Sequence, residues 1–158
     1  MIVRAPVPDL LRPLSAVPDP VFAGELVGPG LAVEPGPGAG VAVSPVDGRV
    51  AALHPHAYVA VAGGRGVRVH LGVDTVRLDG AGFAPLVEVG ATVACGQPMV
   101  RWDPVAAAAG GLRLICPVVA LDATASDLSA PASGPGRAAS GSPIPCQGRY
   151  FGGGAVGR

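Results

Sequence analysis

Short valine-rich runs separated by turn residues are the feature that most constrains the fold of this 158-residue chain. Apolar residues alternate with small or polar ones inside each run, and Gly, Pro or Asp ends it. Period-2 alternation with β-branched residues is typical of short strands that pack one face on a core. The sequence therefore predicts an all-β domain whose strands are VFAGEL (21–26), LAVEP (31–35), VAVSP (41–45), RVAAL (49–53), AYVAVA (57–62), VRVHLG (67–72), PLVEV (85–89), PMVRW (98–102) and LRLICPVVAL (112–121).

Turn residues between the runs predict how neighbouring strands connect. Asp47-Gly48 is a strong hairpin signal between two runs, and Gly63-Gly64 is another. Helix is scarce, since only residues 74–78 and 103–109 have a pattern that supports a turn or two of helix. We therefore expect antiparallel sheets with one or two very short helices.

The two ends of the chain differ from its middle. Residues 1–13 are proline-rich, and we expect them to form a flexible N-terminal segment. Residues 124–158 lose all periodicity and are dominated by Gly, Pro, Ser and Ala, which is typical of a disordered tail. The expected folded domain is 14–123, and residues 144–151 offer at most an edge strand.

Charge excludes several classes of partner and reaction. The 11 basic residues are balanced by 11 acidic ones, and all of the basic ones are arginines scattered singly along the sequence. This predicts neither a nucleic-acid-binding surface nor a polybasic membrane anchor. The absence of lysine excludes a P-loop, Schiff-base chemistry and carrier arms attached to lysine.

The cysteines and the first residues indicate a cytoplasmic protein. Cys95, Cys116 and Cys146 are odd in number and widely spaced, which argues against a disulfide framework. The first fourteen residues contain prolines and no continuous apolar stretch, so they make a poor signal peptide. No apolar run approaches the ~20 residues of a membrane span.

Two segments resemble lipoyl and biotinyl carrier domains. The resemblance lies in SPVDGRVAAL (44–53) and VEVGATVACGQPMVRW (87–102). In those domains a hairpin leads to a turn, and a segment with the pattern V-x-x-G-x-x-V-x-x-G-Q crosses over. Their fold is a β-sandwich/barrel hybrid of short strands, which the resemblance implies for this chain. Their lysine is missing here, so the resemblance extends to the architecture and not to that function.

All three histidines, His54, His56 and His70, lie within 17 residues. A hairpin closing across 63–66 predicts that His56 and His70 face each other at its open end, with Cβ atoms ~4.5–5.5 Å apart. One imidazole is then able to attack phosphorus while the other donates a hydrogen bond to the phosphoryl oxygens. Gly72 beside the nucleophile is expected to leave room for a partner. From the residues alone, metal binding at the HxH and HxxxD spacings and plain packing stay open.

One long motif, VHLGVDTVRLDGAGF (69–83), is accompanied by further segments in a fixed order along the chain. They are PLSAVPDPVFAGELVGPGLAVEP (13–35), VAVSPVDGRV (41–50), HAY (56–58), VEVGATVACGQPMVRWD (87–103) and CPVVAL (116–121). Together these segments resemble the glucose-type enzyme IIA of the bacterial phosphoenolpyruvate-dependent sugar phosphotransferase system. The motif at 69–83 is long and specific.

The resemblance implies roles for both histidines of the pair. His70 matches the residue that becomes phosphohistidine by accepting a phosphoryl group from the phosphocarrier protein HPr. His56 matches the second active-site histidine, which is needed to pass that group to a cysteine of enzyme IIB. Some relatives also bind zinc through this pair at a partner interface, so His56 and His70 are candidate zinc ligands, although no cofactor is required for transfer.

The resemblance also implies a partner-binding surface around the histidines. Asp19 and Asp74 match carboxylates that face an arginine of HPr. Val21 and Phe22 match an apolar rim, and Gly72 lies beside the nucleophile. A small interface of this kind suits partners that must bind and leave.

The expected function is that of a cytoplasmic phosphotransferase component that acts during sugar uptake. Enzyme IIB and the membrane-spanning enzyme IIC are expected to be separate proteins, so that this chain meets the membrane only through its permease. Regulatory targets are a further class of expected partner. The alternatives are a lysostaphin-like zinc hydrolase and a regulatory binding protein that transfers no phosphate.

The sequence departs from the family pattern in three places. The hairpin between His56 and His70 is about one residue shorter than usual. His54-Pro55 replaces the usual Thr-Asn or Thr-Lys before the second histidine, so we expect the hydrogen bonding of His56 to differ. The usual final strand has no match in the tail beyond SPIPCQGRYF, which predicts an open sheet edge.

Overall fold

The computed structural model describes residues 3–36, 39–123 and 137–138. These residues form two antiparallel sheets, in the orders β11-β1-β2-β10-β6-β5-β4-β8 and β3-β9-β7. The strands are β1 (Asp9–Pro13), β2 (Gly30–Pro35), β3 (Val41–Val43), β4 (Gly48–His54), β5 (Ala57–Ala62), β6 (Arg65–His70), β7 (Phe83–Pro85), β8 (Thr92–Val93), β9 (Pro98–Trp102), β10 (Cys116–Ala120) and β11 (Arg137–Ala138).

The main core lies between the two sheets. Val67 and Val69 of β6 are fully buried in it, together with Met99 and Val100 of β9. Two buried aromatic side chains add hydrogen bonds across this core. The Tyr58 hydroxyl donates to the carbonyl of Val43 at 2.7 Å, and the indole N–H of Trp102 donates to the carbonyl of Ala39 at 2.6 Å. These bonds satisfy polar groups that are costly to bury alone.

A second apolar cluster covers the outer face of the large sheet. It contains Phe22 from the short helix α1 (Pro20–Ala23), Val73 and Val119. Adjacent residues Val118 and Val119 of β10 belong to different clusters because successive side chains of a strand point to opposite faces. This cluster holds α1 against the sheet beside the end of β6.

The predicted all-β sandwich of short strands is confirmed. The β5–β6 hairpin closes at Gly63 and Gly64, whose φ angles of 56° and 75° require the left-handed conformation that glycine adopts at little cost. The expected short helices are present as a 3₁₀ turn, Thr75–Leu78, and as helix α2, Pro104–Ala109. No helix in the described ranges is long and apolar enough to cross a membrane.

Three local expectations are wrong. The predicted strand at 21–26 is replaced by α1, because Asp19 caps that helix by accepting a hydrogen bond from the Val21 amide at 2.8 Å. Asp47-Gly48 does not form a hairpin, since β3 pairs with β9 while β4 pairs with β5 and β8. The run at 85–89 is extended only up to Pro85.

The N-terminal segment also differs from the expected flexible 1–13. Val3, Ala5 and Val7 are 3%, 0% and 0% exposed, and β1 pairs along its whole length with β2. Alternate apolar residues fill the core here, and an extended chain near a sheet edge accommodates prolines. The folded unit therefore begins before the expected boundary at residue 14.

The expected disordered tail, 124–158, lies outside the described residues except for 137–138. Those two residues form β11, which pairs with Asp9 and Leu10 of β1. The edge strand expected at 144–151 also lies outside the described ranges.

Candidate functional site

The open end of the β5–β6 hairpin brings His56 and His70 together. Their ring centroids are 5.0 Å apart, with the rings inclined at 65°. The register differs by one residue from a direct pair, because Ala57 is the residue opposite His70. His56 instead precedes β5, and its carbonyl accepts a hydrogen bond from the Leu71 amide at 2.8 Å.

His54-Pro55 forms the turn that presents His56. His54 ends β4 and pairs with Ala57, so Pro55 and His56 are the two central residues of the β4–β5 turn. Proline suits the first central position of such a turn because its φ is fixed. The exposed His54 ring stacks on His56, with centroids 5.9 Å apart and planes inclined at 30°.

The His56 ring forms no hydrogen bond within the described residues, and its ring contacts are with the two other imidazoles. Its pKa is lowered from 6.5 by partial burial, then by the positive charges of His54 and Arg68. His56 is therefore neutral in the resting protein at pH 7.

His70 is held in one tautomer by the backbone. Its Nδ1 lies 2.6 Å from the carbonyl oxygen of Gly72. A carbonyl only accepts hydrogen bonds, so in neutral His70 the proton must be on Nδ1 and the lone pair on Nε2. The ring is therefore oriented as a nucleophile at Nε2.

Burial lowers the pKa of His70 to about 4. The hydrogen bond to Gly72 and the charge of Asp19 act in the opposite direction, while His56 and Arg68 lower the pKa further. The imidazole therefore keeps its lone pair at neutral pH, as a nucleophile requires.

The loop after His70 is fixed by contacts within this chain. Gly72 has a φ of 78°, and a Cβ there would lie 2.7 Å from Thr75 Cγ2 and 2.8 Å from the Arg113 carbonyl oxygen. Gly72 is buried. The space left by its missing side chain is therefore filled by atoms of this chain. The expectation that Gly72 leaves room for a partner is wrong.

Thr75 was not identified by the sequence reasoning, although its contacts hold this loop. It is 0% exposed, and its hydroxyl donates to the Leu71 carbonyl at 2.8 Å. The Val73 amide donates to the Arg113 carbonyl at 2.9 Å on the same loop. The signal for Thr75 in the sequence is its position four residues after Leu71, a spacing at which threonine bonds back to the chain.

The other residues expected at the site differ in exposure, and Phe22 is the one whose ring contacts His70 in the described part of the chain. The Phe22 ring meets His70 edge to face at 5.3 Å and is only 7% exposed, so it supports the imidazole from inside. Val21 is 44% exposed, Asp19 is half-buried and Asp74 is exposed. Val76, in the 3₁₀ turn that follows Asp74, is a further exposed apolar side chain, at 59%.

The two imidazoles alone do not complete a zinc site. Zinc in proteins takes at least three protein ligands, and the described residues contain no group of three or more His, Cys, Asp or Glu able to hold a metal. His56 and His70 offer two nitrogen ligands at most, so a zinc ion here would need further ligands from a partner.

The described cysteines are poor nucleophiles at neutral pH. Cys116 is fully buried, and burial raises the pKa of its thiol to about 12. Burial also raises the pKa of the half-buried Cys95 thiol. Both thiols therefore stay protonated at neutral pH, and the thiol form is a weak nucleophile.

Comparison with known proteins relates this site to a family. Residues 1–126 match the model of the family described as phosphoenolpyruvate-dependent sugar phosphotransferase system, EIIA 1. The chain is 36% identical over 104 residues to the PTS system glucose-specific EIIA component of Bacillus cereus, and the match covers 64% of this chain and 62% of that relative. The chain therefore spans less than two thirds of that relative's length.

Further similarity is found to a longer protein and to a solved structure. The PTS system glucose-specific EIIBCA component of Corynebacterium glutamicum is 38% identical over 124 residues, which are 77% of this chain and 18% of that protein. The structure of glucose permease IIA from Mycoplasma capricolum superposes with a TM-score of 0.72 at 29% identity, covering 76% of this chain and 79% of that one.

Proposed function

The chain belongs to the EIIA type 1 family of the phosphoenolpyruvate-dependent sugar phosphotransferase system, and we propose that it carries a phosphoryl group on His70. The donor is phospho-HPr, and the acceptor is a cysteine of an enzyme IIB domain. The observation that supports this most strongly is the 2.6 Å contact from His70 Nδ1 to Gly72, which leaves Nε2 free beside a second imidazole.

The first transfer uses the lone pair of His70 Nε2. This atom attacks the phosphorus of phospho-HPr, and an Nε2–P bond forms as the nitrogen–phosphorus bond of the donor breaks. The donor imidazole leaves with the electron pair and becomes neutral. The ring of His70 gains positive charge at the same time, and the Gly72 carbonyl stabilises it at Nδ1–H. No proton, oxidant or cofactor is consumed.

The second transfer reverses this chemistry toward a thiolate. The sulfur of the enzyme IIB cysteine attacks phosphorus, the S–P bond forms, and the Nε2–P bond returns its electron pair to His70. His56, edge-on to His70 at 5.0 Å, is able to donate a hydrogen bond to the phosphoryl oxygens during this step. Its role in onward transfer is supported by its match to the second family histidine.

The surface around the site suits brief encounters with basic or apolar partners. Exposed Val21 lies beside half-buried Asp19, and exposed Asp74 lies beside exposed Val76. Carboxylates at the rim steer an arginine of HPr, while a small apolar contact limits affinity so that partners exchange. Enzyme IIB as a partner is supported by the fused EIIBCA relative. Such a carrier works in the cytoplasm, beside the IIC permease.

The test uses the full chain with enzyme I, HPr and ³²P-labelled phosphoenolpyruvate. We expect label that is labile in acid and stable in base, as phosphohistidine is. The His70→Ala variant should take no label, whereas the matched His54→Ala variant should keep it. Unlabelled wild type, or label undiminished in His70→Ala, would contradict the proposal; unlabelled protein with one tightly bound zinc would favour the hydrolase.

A second variant tests the role of His56. His56→Gln should accept the phosphoryl group from phospho-HPr at close to the wild-type rate but pass it to enzyme IIB at least tenfold more slowly. Rapid-quench measurement of both half-reactions separates the two steps. Equal transfer to enzyme IIB by both proteins would remove His56 from the mechanism.

A further inference from the structure

Arg68 lies on the same outward face of β6 as His70. The two residues are separated only by Val69, which is buried in the main core, and side chains two apart on a strand share a face. Such residues are about 6.6 Å apart along the strand, a distance that an arginine side chain can span. Both Arg68 and His70 are half-buried.

No residue in the described ranges pairs with the Arg68 guanidinium. Among the described residues, the ion pair that is present joins Arg12 to Glu34, and Arg68 donates no side-chain hydrogen bond. Its direct cross-strand neighbours are Val59 on β5 and Val119 on β10, which offer neither carboxylate nor hydroxyl. A half-buried cation without an anionic partner is unfavourable, and here it lies beside a nucleophile.

The resting site and the phosphorylated site differ most in charge. With both imidazoles neutral, Arg68 faces no negative charge on its own strand, and it opposes protonation of His56 and His70. A phosphoryl group on Nε2 adds a charge close to −2 on oxygens that a guanidinium fork matches well. The carboxylate of Asp19, whose charge acts on His70, repels the phosphoryl charge, so Arg68 is the side chain suited to balance it.

We propose that Arg68 is a phosphoryl-binding residue that contacts the phosphoryl oxygens once the group is on Nε2 of His70. This inference rests on the proposed function and adds a residue to it. Arg68 thereby favours the phosphorylated form of this chain over phospho-HPr, and it holds the group for the next acceptor.

The experiment compares full-length wild type with Arg68→Gln after phosphorylation through enzyme I and HPr. We expect the equilibrium between phospho-HPr and the phosphorylated chain to shift about five- to tenfold toward phospho-HPr in Arg68→Gln. The ³¹P resonance of the phosphohistidine should titrate at a higher pH in this variant, because the nearby positive charge that favours the dianion is lost.

Two variants control for effects on folding. Arg68→Lys keeps the charge and should restore most of both effects, although without the bidentate fork. Arg65→Gln removes an arginine from the other end of the same strand and should match wild type. A purely structural role for Arg68 would not move the ³¹P titration.

The outcomes separate this inference from the function on which it rests. A phosphorylated wild type with an Arg68→Gln variant of unchanged equilibrium and unchanged ³¹P titration overturns the role of Arg68 alone. A wild type that accepts no phosphoryl group overturns both proposals.

Discussion

The β5–β6 hairpin and the loop at 71–75 hold the two halves of the site by different means. The hairpin is a regular ladder that buries alternate residues of both strands, and its register together with the β4–β5 turn brings His56 close to His70. The loop has no ladder and relies on Gly72, Thr75 and the Arg113 carbonyl packed within ordinary contact limits. A strand tolerates substitutions on its exposed face, whereas a loop of this kind depends on individual atoms.

The largest expected loss of stability on substitution is at Gly72, and Gly64, which has a similar φ, is its matched control. Gly72→Ala should lower the free energy of unfolding by about 3 kcal/mol, because the new Cβ combines a positive φ with two contacts below 3 Å. Gly64→Ala in the hairpin turn has a φ of 75° and open space around it, so it should cost only about 1 kcal/mol. Urea unfolding measures both, and equal losses would contradict the difference between loop and hairpin.

Lowering the pH should reduce the free energy of unfolding, because His70, where the hairpin meets the loop, becomes protonated more readily in the unfolded chain. Folding lowers the pKa of this histidine from 6.5 to about 4, so between these values the unfolded chain binds more protons. The associated stability is present above about pH 6.5 and is lost as the pH falls toward 4. We expect a loss of about 3 kcal/mol in urea unfolding as the pH falls to 4. His70→Asn should remove most of this dependence, and an unchanged slope would assign it to other groups.

A smaller effect is expected from the hydroxyl that closes the loop. Thr75→Val keeps the shape but leaves the Leu71 carbonyl without its donor, which should cost about 1–2 kcal/mol. The same change at exposed Thr92 on β8 should stay within about 0.5 kcal/mol. The Nδ1–H resonance of His70 should shift in Thr75→Val and not in Thr92→Val. Identical spectra would show that Thr75 does not position His70 through Gly72.

The smallest expected effect concerns the outermost histidine, on the hairpin side. His54→Thr removes the charge and the stacked ring that lie next to His56. The pKa of His56 should therefore rise toward 6.5 without passing it. His54→Phe keeps the stacked ring and should give a smaller rise. NMR titration of the imidazoles measures both, and an unchanged pKa in both variants would show that His54 does not influence its neighbour.

Sequence patterns were most informative where structure is local and periodic. The alternation in residues 57–70 predicted β5, β6 and their turn, and with them the meeting of His56 and His70. The strand expected at 21–26 failed because one carboxylate cap at Asp19 outweighed the β propensity of a short run. Asp47-Gly48 failed as a hairpin because each flanking strand has a better partner elsewhere.

The residues missed at the site share a physical reason. Thr75 holds its loop through the Leu71 carbonyl, and the role proposed for Arg68 depends on its position on the face of β6 that carries His70. Neither position follows from the residue type alone. Gly72 lies beside His70, but the space next to it is occupied by Thr75 and by the carbonyl of Arg113, which is distant in sequence. The burial of Val3, Ala5 and Val7 likewise depends on long-range packing against both sheets.

The sequence by itself determined the all-β class, the family and the histidine pair, because alternation and a long collinear motif are properties of local order. Only the tertiary structure decided which nitrogen of His70 is free, since that depends on a backbone carbonyl placed by the loop at 71–75. It also decided the charge of the site: burial and the position of Arg68 keep both imidazoles neutral. Electrostatic effects depend on distance and burial, which no spacing in a sequence specifies.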